Sequence, residues 1–489
     1  MAGSLDRVLA AAVEGQARSQ RFIQRQLNTL HEIFVKDGPD IRTAMKTDSS
    51  QTNSEIEIQY TLALESIVNS FSESDFDQAL AAEYRLAKSE NTPDNRCAYG
   101  IVYIEPASYN LVYSCVTAVT TAIAAGNCVV LKLPKTLSTT SEVLRKTLSN
   151  GLDRDTFAIV EQTVDQAKLS RKAIRLHASA DISISPSQEV LTVPNTRSVA
   201  IVDRYADMQT SAKAIIRARF TFEGKSPLAP HLVLVNEFRI KEFCSAVAEN
   251  TGKYFTSQIE GNGTLDGSLA AKSRAIRASA NELDKAGAET ILSGSRGVVV
   301  RVNDRSSSLL KKHVNEPLLI IHPVTSLDDA MDLANETSND EPLSALHIFG
   351  TPEVAKYVSQ FVHCHLTCVN EIPVELIVAP LTPIGFATQL GKPYRKEMFS
   401  LAKPQYIHFG KREEQLTVII ESNNEVEASK LRKQAQAIRV QMNQPAGHAI
   451  GHFEQGLLVG ASIALVTIVS TVTILVRQGI PLAKRWRFR

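Results

Sequence analysis

Apolar residues recur along this chain with two periods, and the change from one to the other divides it. In RSQRFIQRQLNTLHEIFVKDG, Phe22, Ile23, Leu27, Leu30, Ile33 and Phe34 fall three to four positions apart, the stripe of an amphipathic helix. EIEIQYTLALESIVNSF continues likewise, so the first 90 residues read as helical. Near Gly100 the pattern turns to short apolar runs bounded by turn residues. YGIVYIEP reads as a strand, LVYSCVTAVTTAIAAGN as a buried helix stopped at Gly126-Asn127, and CVVLKLPK as a second strand. A strand–helix–strand unit predicts a parallel, doubly wound sheet. VLRKTLSNGL follows as a helix, then RKAIRLHAS as a strand with its turn, then RSVAIVD as a strand. A second domain is expected from residue 207: SAKAIIRARF helical, PHLVLVNE a strand, IKEFCSAVAENTGKYF a helix. GVVVRVN, EPLLIIHPV and SALHIFG are further strands, alternating with the helical LDDAMDLANE and PEVAKYVSQFV.

The end of the chain breaks this pattern. Residues 456–476, GLLVGASIALVTIVSTVTILV, lie in a stretch without charge between Glu454 and Arg477. At about 1.5 Å per residue that is roughly 30 Å of helix, the thickness of a bilayer core. Arg477, Lys484, Arg485, Arg487 and Arg489 follow with Trp486, a basic, interface-seeking tail over 477–489. The reading is a tail anchor whose partner is the lipid bilayer, with residues 1 to about 450 on the cytosolic side. Counting positive residues alone gives the opposite orientation. Residues 411–450, charged and Gln-rich, read as a helix-prone linker to the anchor. A short basic tail fits the mitochondrial outer membrane or the peroxisome.

Composition narrows the function classes. A length of 489 residues suggests about three structural units, or two large ones. Lys plus Arg number 53 against 52 Asp plus Glu, a balance that excludes a strongly basic nucleic-acid binder. The +1 net charge hides a local excess, since the tail's cations leave the rest of the chain net acidic. Six irregularly spaced Cys are too few for a disulfide scaffold and point to a reducing compartment. The opening MAGSLDRVLAAAVEG has no apolar core of the kind a signal peptide needs.

The order of elements resembles a known family. YGIVYIEPASYNLVYSCVTAVTTAIAAGNCVVLKLPKTLS is similar to the start of the aldehyde dehydrogenase nucleotide-binding domain. That family reads there P-L-G, a strand, W-N-Y-P, a helix, A-I-A-A-G-N, a strand and K-P-S-E. AIAAGN at 122–127 matches in full. EPLLIIHPVTSLDDAMDLANETSNDEPLSALHIFG resembles the family's G-P-I-L-P-I and P-L-A-L-Y-V-F segments. LTPIGFATQLGKPYRKEMFS sits where the family has its P-F-G-G-x-G-x-S-G-x-G loop. The similarity runs from about residue 10 to 408, and the apolar C-terminus resembles the class 3 branch with its membrane-anchored fatty aldehyde dehydrogenases. It implies an α/β fold of two doubly wound domains plus a C-terminal transmembrane helix. Residues 1–206 would form a helical N-terminus and Rossmann-like nucleotide-binding domain, 207–382 a catalytic-type domain and 383–410 a return segment. It further implies NAD or NADP as cofactor, a homodimer through edge strands and the endoplasmic reticulum as a third membrane. No protein partner follows from it, and no nucleic acid.

The chemistry of that family needs a thiolate, an oxyanion-holding amide, a carboxylate base and a cofactor cradle. The nucleophile motif G-Q-T-C-x-A-P falls on Gly224-Lys225-Ser226-Pro227-Leu228-Ala229-Pro230, which puts Pro227 at the nucleophile position. Ser226 is the adjacent hydroxyl, and the downstream Cys244 reads as core. The W-N pair falls on Ser108-Tyr109, so Tyr109 replaces the amide, and a one-residue slip would restore it as Asn110. L-E-L-G-G-K falls around Leu191-Thr192-Val193-Pro194-Asn195-Thr196, leaving Val193 where the carboxylate belongs and Glu189 too early. The phosphate-contacting T-G-S turn falls near His177-Ala178-Ser179 without glycine, and E-x-F-G-P falls on His313-Val314-Asn315-Glu316-Pro317. Lys132 keeps the place of the lysine that touches the adenosine ribose, and Asn370 that of an active-site asparagine.

The resemblance therefore implies a pseudoenzyme that binds or scaffolds. The alternatives are a divergent NAD(P)-dependent oxidoreductase acting on a fatty or other membrane-resident aldehyde, and a sensor that binds cofactor without turnover. His363-Cys364-His365 with Cys368 gathers ligand types, but strand alternation splits neighbours between faces, so no metal site is expected. GNGTLDG at 261–267 reads as a surface loop rather than a phosphate loop. A fluorescent fusion to residues 440–489 is expected to label membranes, and a diffuse cytosolic signal would refute the anchor.

Overall fold

The computed structural model describes residues 2–165, 168–169, 173–178, 190–194, 196–256, 287–294, 296–311, 317–337, 341–403, 406–407, 409–438 and 451–486. Two compact units divide the chain, Met1–His408 and Phe409–Arg489. In the first, helices Ala2–Glu14, Gln20–Lys36, Gly38–Asp48, Asn53–Ser72 and Phe76–Ala87 precede the sheets. The stripe read from the sequence is the buried face of the second helix, with Phe22, Ile23, Leu27, Leu30 and Phe34 inside. Asn53–Ser72 starts from a capping box, in which Thr52 accepts from the Glu55 N–H and the Glu55 carboxylate accepts from the Thr52 N–H.

The strands are β1 (Arg96–Ala98), β2 (Ile101–Glu105), β3 (Cys128–Lys132), β4 (Phe157–Val160), β5 (Ile174–His177), β6 (Val190–Thr192) and β7 (Ser198–Val202). β8 (Leu232–Asn236), β9 (Ala288–Gly294), β10 (Gly297–Val302), β11 (Leu318–Val324), β12 (Ala345–Phe349), β13 (Thr367–Val369) and β14 (Ser400–Ala402) follow. A five-stranded parallel sheet runs β4-β3-β2-β5-β6, and a seven-stranded sheet runs β13-β12-β7-β8-β11-β10-β9. In the larger sheet only the β9–β10 pair is antiparallel. β1 and β14 pair antiparallel, joining segments about 300 residues apart. This is the α/β architecture of an aldehyde dehydrogenase-like fold, with nucleotide-binding-type and catalytic-type subdomains. β7 pairs with β8 and β12, so the larger sheet takes its first strand from before residue 207.

Helix Leu111–Ala124 is buried at every position, as a crossover in a sheet covered on both faces must be. It ends at Gly126, whose φ of 83° suits glycine, and at Asn127. The Asn127 amide accepts from the Gly100 N–H at 2.9 Å and donates to the Ala122 and Phe399 carbonyls at 3.1 and 3.0 Å. One side chain thus fixes the start of β2, the helix end and the segment before β14.

In the second unit, helices Lys411–Glu421 and Glu425–Ala437 occupy the predicted linker, whose residues 439–450 lie outside the described residues. Helix His452–Trp486 contains the span Phe453–Thr473, of mean hydropathy 2.0 and with none of it buried. It is long and apolar enough to cross a membrane. Its Ser462, Thr467, Thr471 and Thr473 hydroxyls donate to carbonyls one turn back, which satisfies these donors within the helix. The tail residues Arg487 and Arg489 lie outside the described residues.

Phe222, Glu223 and Gly224 adopt φ of 49°, 61° and 65°, three left-handed residues in succession. A Cβ on Gly224 would meet the Arg219 carbonyl at 2.7 Å and Pro317 Cβ at 2.9 Å. Gly224→Ala is therefore expected to destabilise the first unit by about 2–4 kcal/mol. Denaturant melts of the purified variant read this, and a wild-type midpoint would refute the close packing.

Candidate functional site

In the five-stranded sheet the chain steps outward from β2 to β3 and β4, then returns to place β5 and β6 on the other side of β2. The β2–β5 boundary is the topological switch point, where open parallel sheets bind their ligands. Three side chains stand at the carboxyl ends of the central strands: Glu105 on β2, Lys132 on β3 and His177 on β5. Glu105 Oε1 accepts from the Tyr103 hydroxyl at 2.7 Å and lies 3.3 Å from Lys132 Nζ. Its other oxygen is 3.6 Å from His177 Nδ1, an ion-pair separation rather than a hydrogen bond. Lys132 Nζ also donates to Thr163 Oγ1 at 2.8 Å. The Arg175 guanidinium stacks over the Tyr103 ring at 4.8 Å and donates to the Val164 carbonyl.

The Glu105 carboxylate is 13% exposed. Burial alone would raise its pKa, but His177, Tyr103 and Lys132 outweigh burial and hold it at about 2. It is therefore ionised at neutral pH. His177 is itself buried, and neither ring nitrogen has a hydrogen-bond partner.

The turn before helix Leu111–Ala124 carries the oxyanion candidates. Asn110 sits at the helix N-cap with φ 48°, and its amide oxygen and one of its two amide N–H groups are engaged. It accepts from Gln51 Nε2 at 3.3 Å and Gln59 Nε2 at 3.1 Å, and donates to the Val378 carbonyl at 3.0 Å. Tyr109 turns its hydroxyl into the interior, where burial raises the phenol above its ordinary pKa. Ser108, Tyr109 and Asn110 line a small pocket of about 30 Å³ together with Gln51, Glu223 and Lys225.

The loop carrying Ser226 and Pro227 borders this pocket and is tied down along its length. The Pro227 carbonyl accepts from Ser198 Oγ at 2.6 Å, and the Leu228 carbonyl contacts His347 Nε2 at 2.8 Å. Burial pushes the His347 imidazole down to about 4, so it is neutral and donates. Ser226 is buried, and its Oγ meets no hydrogen-bonding partner, base or otherwise, among the described residues. Upstream, the Phe222 N–H donates to Glu55 Oε1 at 3.0 Å, and Glu223 Oε1 accepts from the Ser50 N–H at 2.9 Å. Arg296 completes this clamp, 3.7 Å from Glu55 and 3.2 Å from the Ser50 carbonyl. Burial opposes ionisation of Glu223, but Lys225 and Ser50 override it and hold its pKa at about 2.

The remaining candidates are dispersed. Val193 is a buried core residue. Asn370, with φ 57°, exchanges two 2.9 Å hydrogen bonds with the Gly350 backbone and closes the ends of β12 and β13. Glu189, Ser179, Asn195, His313–Glu316 and the 261–267 loop lie outside the described residues. Burial raises the thiols of Cys115 and Cys128 to about 12 and of Cys368 to about 11, and those of Cys244 and Cys364 also rise. Among the described residues no three His, Cys, Asp or Glu side chains gather as a metal site.

Of the candidates read from the sequence, the structure brings Tyr109 and Asn110 to one pocket beside Phe222, Glu223 and Lys225, leaves Ser226 and Pro227 out of its lining, and puts Lys132 in the separate switch-point cluster. The sequence reading missed Glu105, Tyr103 and Arg175. The available signal was a lone acid ending the apolar run of β2.

A depressed carboxyl pKa contributes stability above the unfolded value near 4.5, and that stability is lost as pH falls towards 2. Glu105→Gln removes this dependence. The stability gap between wild type and variant is expected to shrink by up to about 3 kcal/mol between pH 7 and pH 2. Denaturant melts across that range read the gap, and a constant gap would refute the ionised cluster.

Comparison with known proteins agrees with this architecture. The sequence model described as "Aldehyde dehydrogenase family" matches residues 4–379. The chain is 23% identical to aldehyde dehydrogenase family 3 member B1 of Bos taurus over 416 residues, 78% of this chain and 85% of that protein. It is 24% identical to the β-apo-4'-carotenal oxygenase of Gibberella fujikuroi over 295 residues, spanning about half of that protein (53%) and 55% of this chain. The solved structure of Staphylococcus aureus AldH in its substrate-bound state superposes with a TM-score of 0.63 at 14% identity, covering 84% of this chain and 94% of that one. The match over residues 4–379 is decisive, and the chain belongs to the aldehyde dehydrogenase family.

Proposed function

We propose that this protein is a membrane-anchored member of the aldehyde dehydrogenase family that has lost dehydrogenase chemistry and works by binding, as a scaffold. The observation that carries the reading is the loop at Pro227. Oxidation of an aldehyde through a covalent intermediate needs a nucleophile poised beside a base. Pro227 offers no acidic side chain and no N–H, and Ser226 is sealed without a base. Five of the six cysteines have thiols raised by burial, opposite to the lowering that activates one. Asn110 is engaged in holding the backbone, Tyr109 turns inward and Val193 supplies no carboxylate. Asn370 ties a strand end.

The reading includes a main domain on the cytosolic face of the endoplasmic reticulum, peroxisome or mitochondrial outer membrane, and a homodimer through exposed edge strands such as β13. Full-length protein in nanodiscs, given NAD+ or NADP+ with hexanal or a longer-chain aldehyde, is expected to form no reduced cofactor above background. Turnover abolished by Ser226→Ala would replace this reading with a divergent oxidoreductase.

A further inference from the structure

We infer that the switch-point crevice of the five-stranded sheet is closed to nicotinamide dinucleotides, and that the Glu105 side chain closes it. The inference stands on the geometry at the ends of β2, β3 and β5, apart from the nucleophile loop.

A dinucleotide site at a switch point has two requirements. The neighbouring chains must part beyond the strand ends to open a crevice, and that crevice must present donors to the pyrophosphate. The second is not met by the described residues at the β2–β5 boundary. Glu105 and His177 are register partners, and the Ala178 N–H donates to the Glu105 carbonyl at 3.0 Å, so the two strands stay paired up to the last residue of each. Ala178 is fully buried and stands where a glycine would let phosphate approach the backbone.

The donors described at the mouth are engaged by the protein itself or, like the unpartnered His177 ring, buried. Lys132, the cation at the end of β3, is engaged by Glu105 and Thr163. The Tyr103 hydroxyl is given to Glu105, and Arg175 is stacked on the Tyr103 ring. What remains facing an incoming diphosphate is an ionised carboxylate, and like charges at close range in a half-buried site repel strongly. Protonation does not relieve this, because the group stays ionised down to about pH 2. Glu105 thus occupies with its own charge the position a bound anion would need, and in return it neutralises Lys132 and orients Tyr103.

The test is binding without aldehyde, which separates it from turnover. Full-length protein in nanodiscs is titrated with NAD+ and with NADP+ by calorimetry and ligand-observed NMR. The wild type is expected to show no saturable binding up to about 1 mM. Glu105→Gln keeps the hydrogen-bonding shape, and Glu105→Ile removes charge and polarity, so at least one should fold with a wild-type melting profile at pH 7. In the folded variant, affinity for either dinucleotide is expected to rise at least about tenfold. Saturable wild-type binding below about 1 mM would overturn the inference while leaving the loss of turnover intact. A folded variant that binds no better than wild type would overturn the assignment to Glu105.

Discussion

A parallel sheet must be covered on both faces, and meeting that requirement shapes the first unit of this protein. Helix Leu111–Ala124 lies between the five-stranded sheet and helix Asn53–Ser72, buried on every side. No stretch of its surface can be polar at low cost, so its sequence is almost wholly Val, Ala, Thr and other small or apolar residues. The same requirement makes its end abrupt. Gly126 and Asn127 turn the chain directly into β3, and the Asn127 amide satisfies backbone groups that the tight turn would otherwise leave buried and unpaired.

This explains what was legible in the sequence. AIAAGN serves packing, so its pattern can be read locally, as can the Phe22–Phe34 stripe and the uncharged run after Glu454. Other features depend on distant partners. Nothing in RSVAIVD indicates that β7 joins the larger sheet, and nothing in Arg96–Ala98 points to Ser400–Ala402. The Glu105 cluster escaped for the same reason. Lys132 and His177 were legible by resemblance but Glu105 was not, and the three converge only because the strand order places β2 between β3 and β5. Asn370 was visible as a residue but not as a backbone mimic, since that role requires Gly350 opposite it.

The candidate sites share a trait. Groups that would have to be free to act on a substrate are spent on the protein's own backbone and charges. Asn110 braces Val378, His347 braces Leu228, and Lys132 is divided between Thr163 and Glu105. Each such bond stabilises by about 0.5–1.5 kcal/mol, more where a charge takes part.

The clamp at Glu55, Glu223 and Arg296 couples distant parts of the chain. It fastens the start of helix Asn53–Ser72 and Ser50 before it to the Phe222–Gly224 turn, and Arg296 brings in the edge of the larger sheet through β10. Ionic and hydrogen bonds across such a seam make the two sides melt as one cooperative block rather than as separable lobes. A lesion in the N-terminal helices would therefore be felt as lost protection from hydrogen exchange in the strands beyond residue 297.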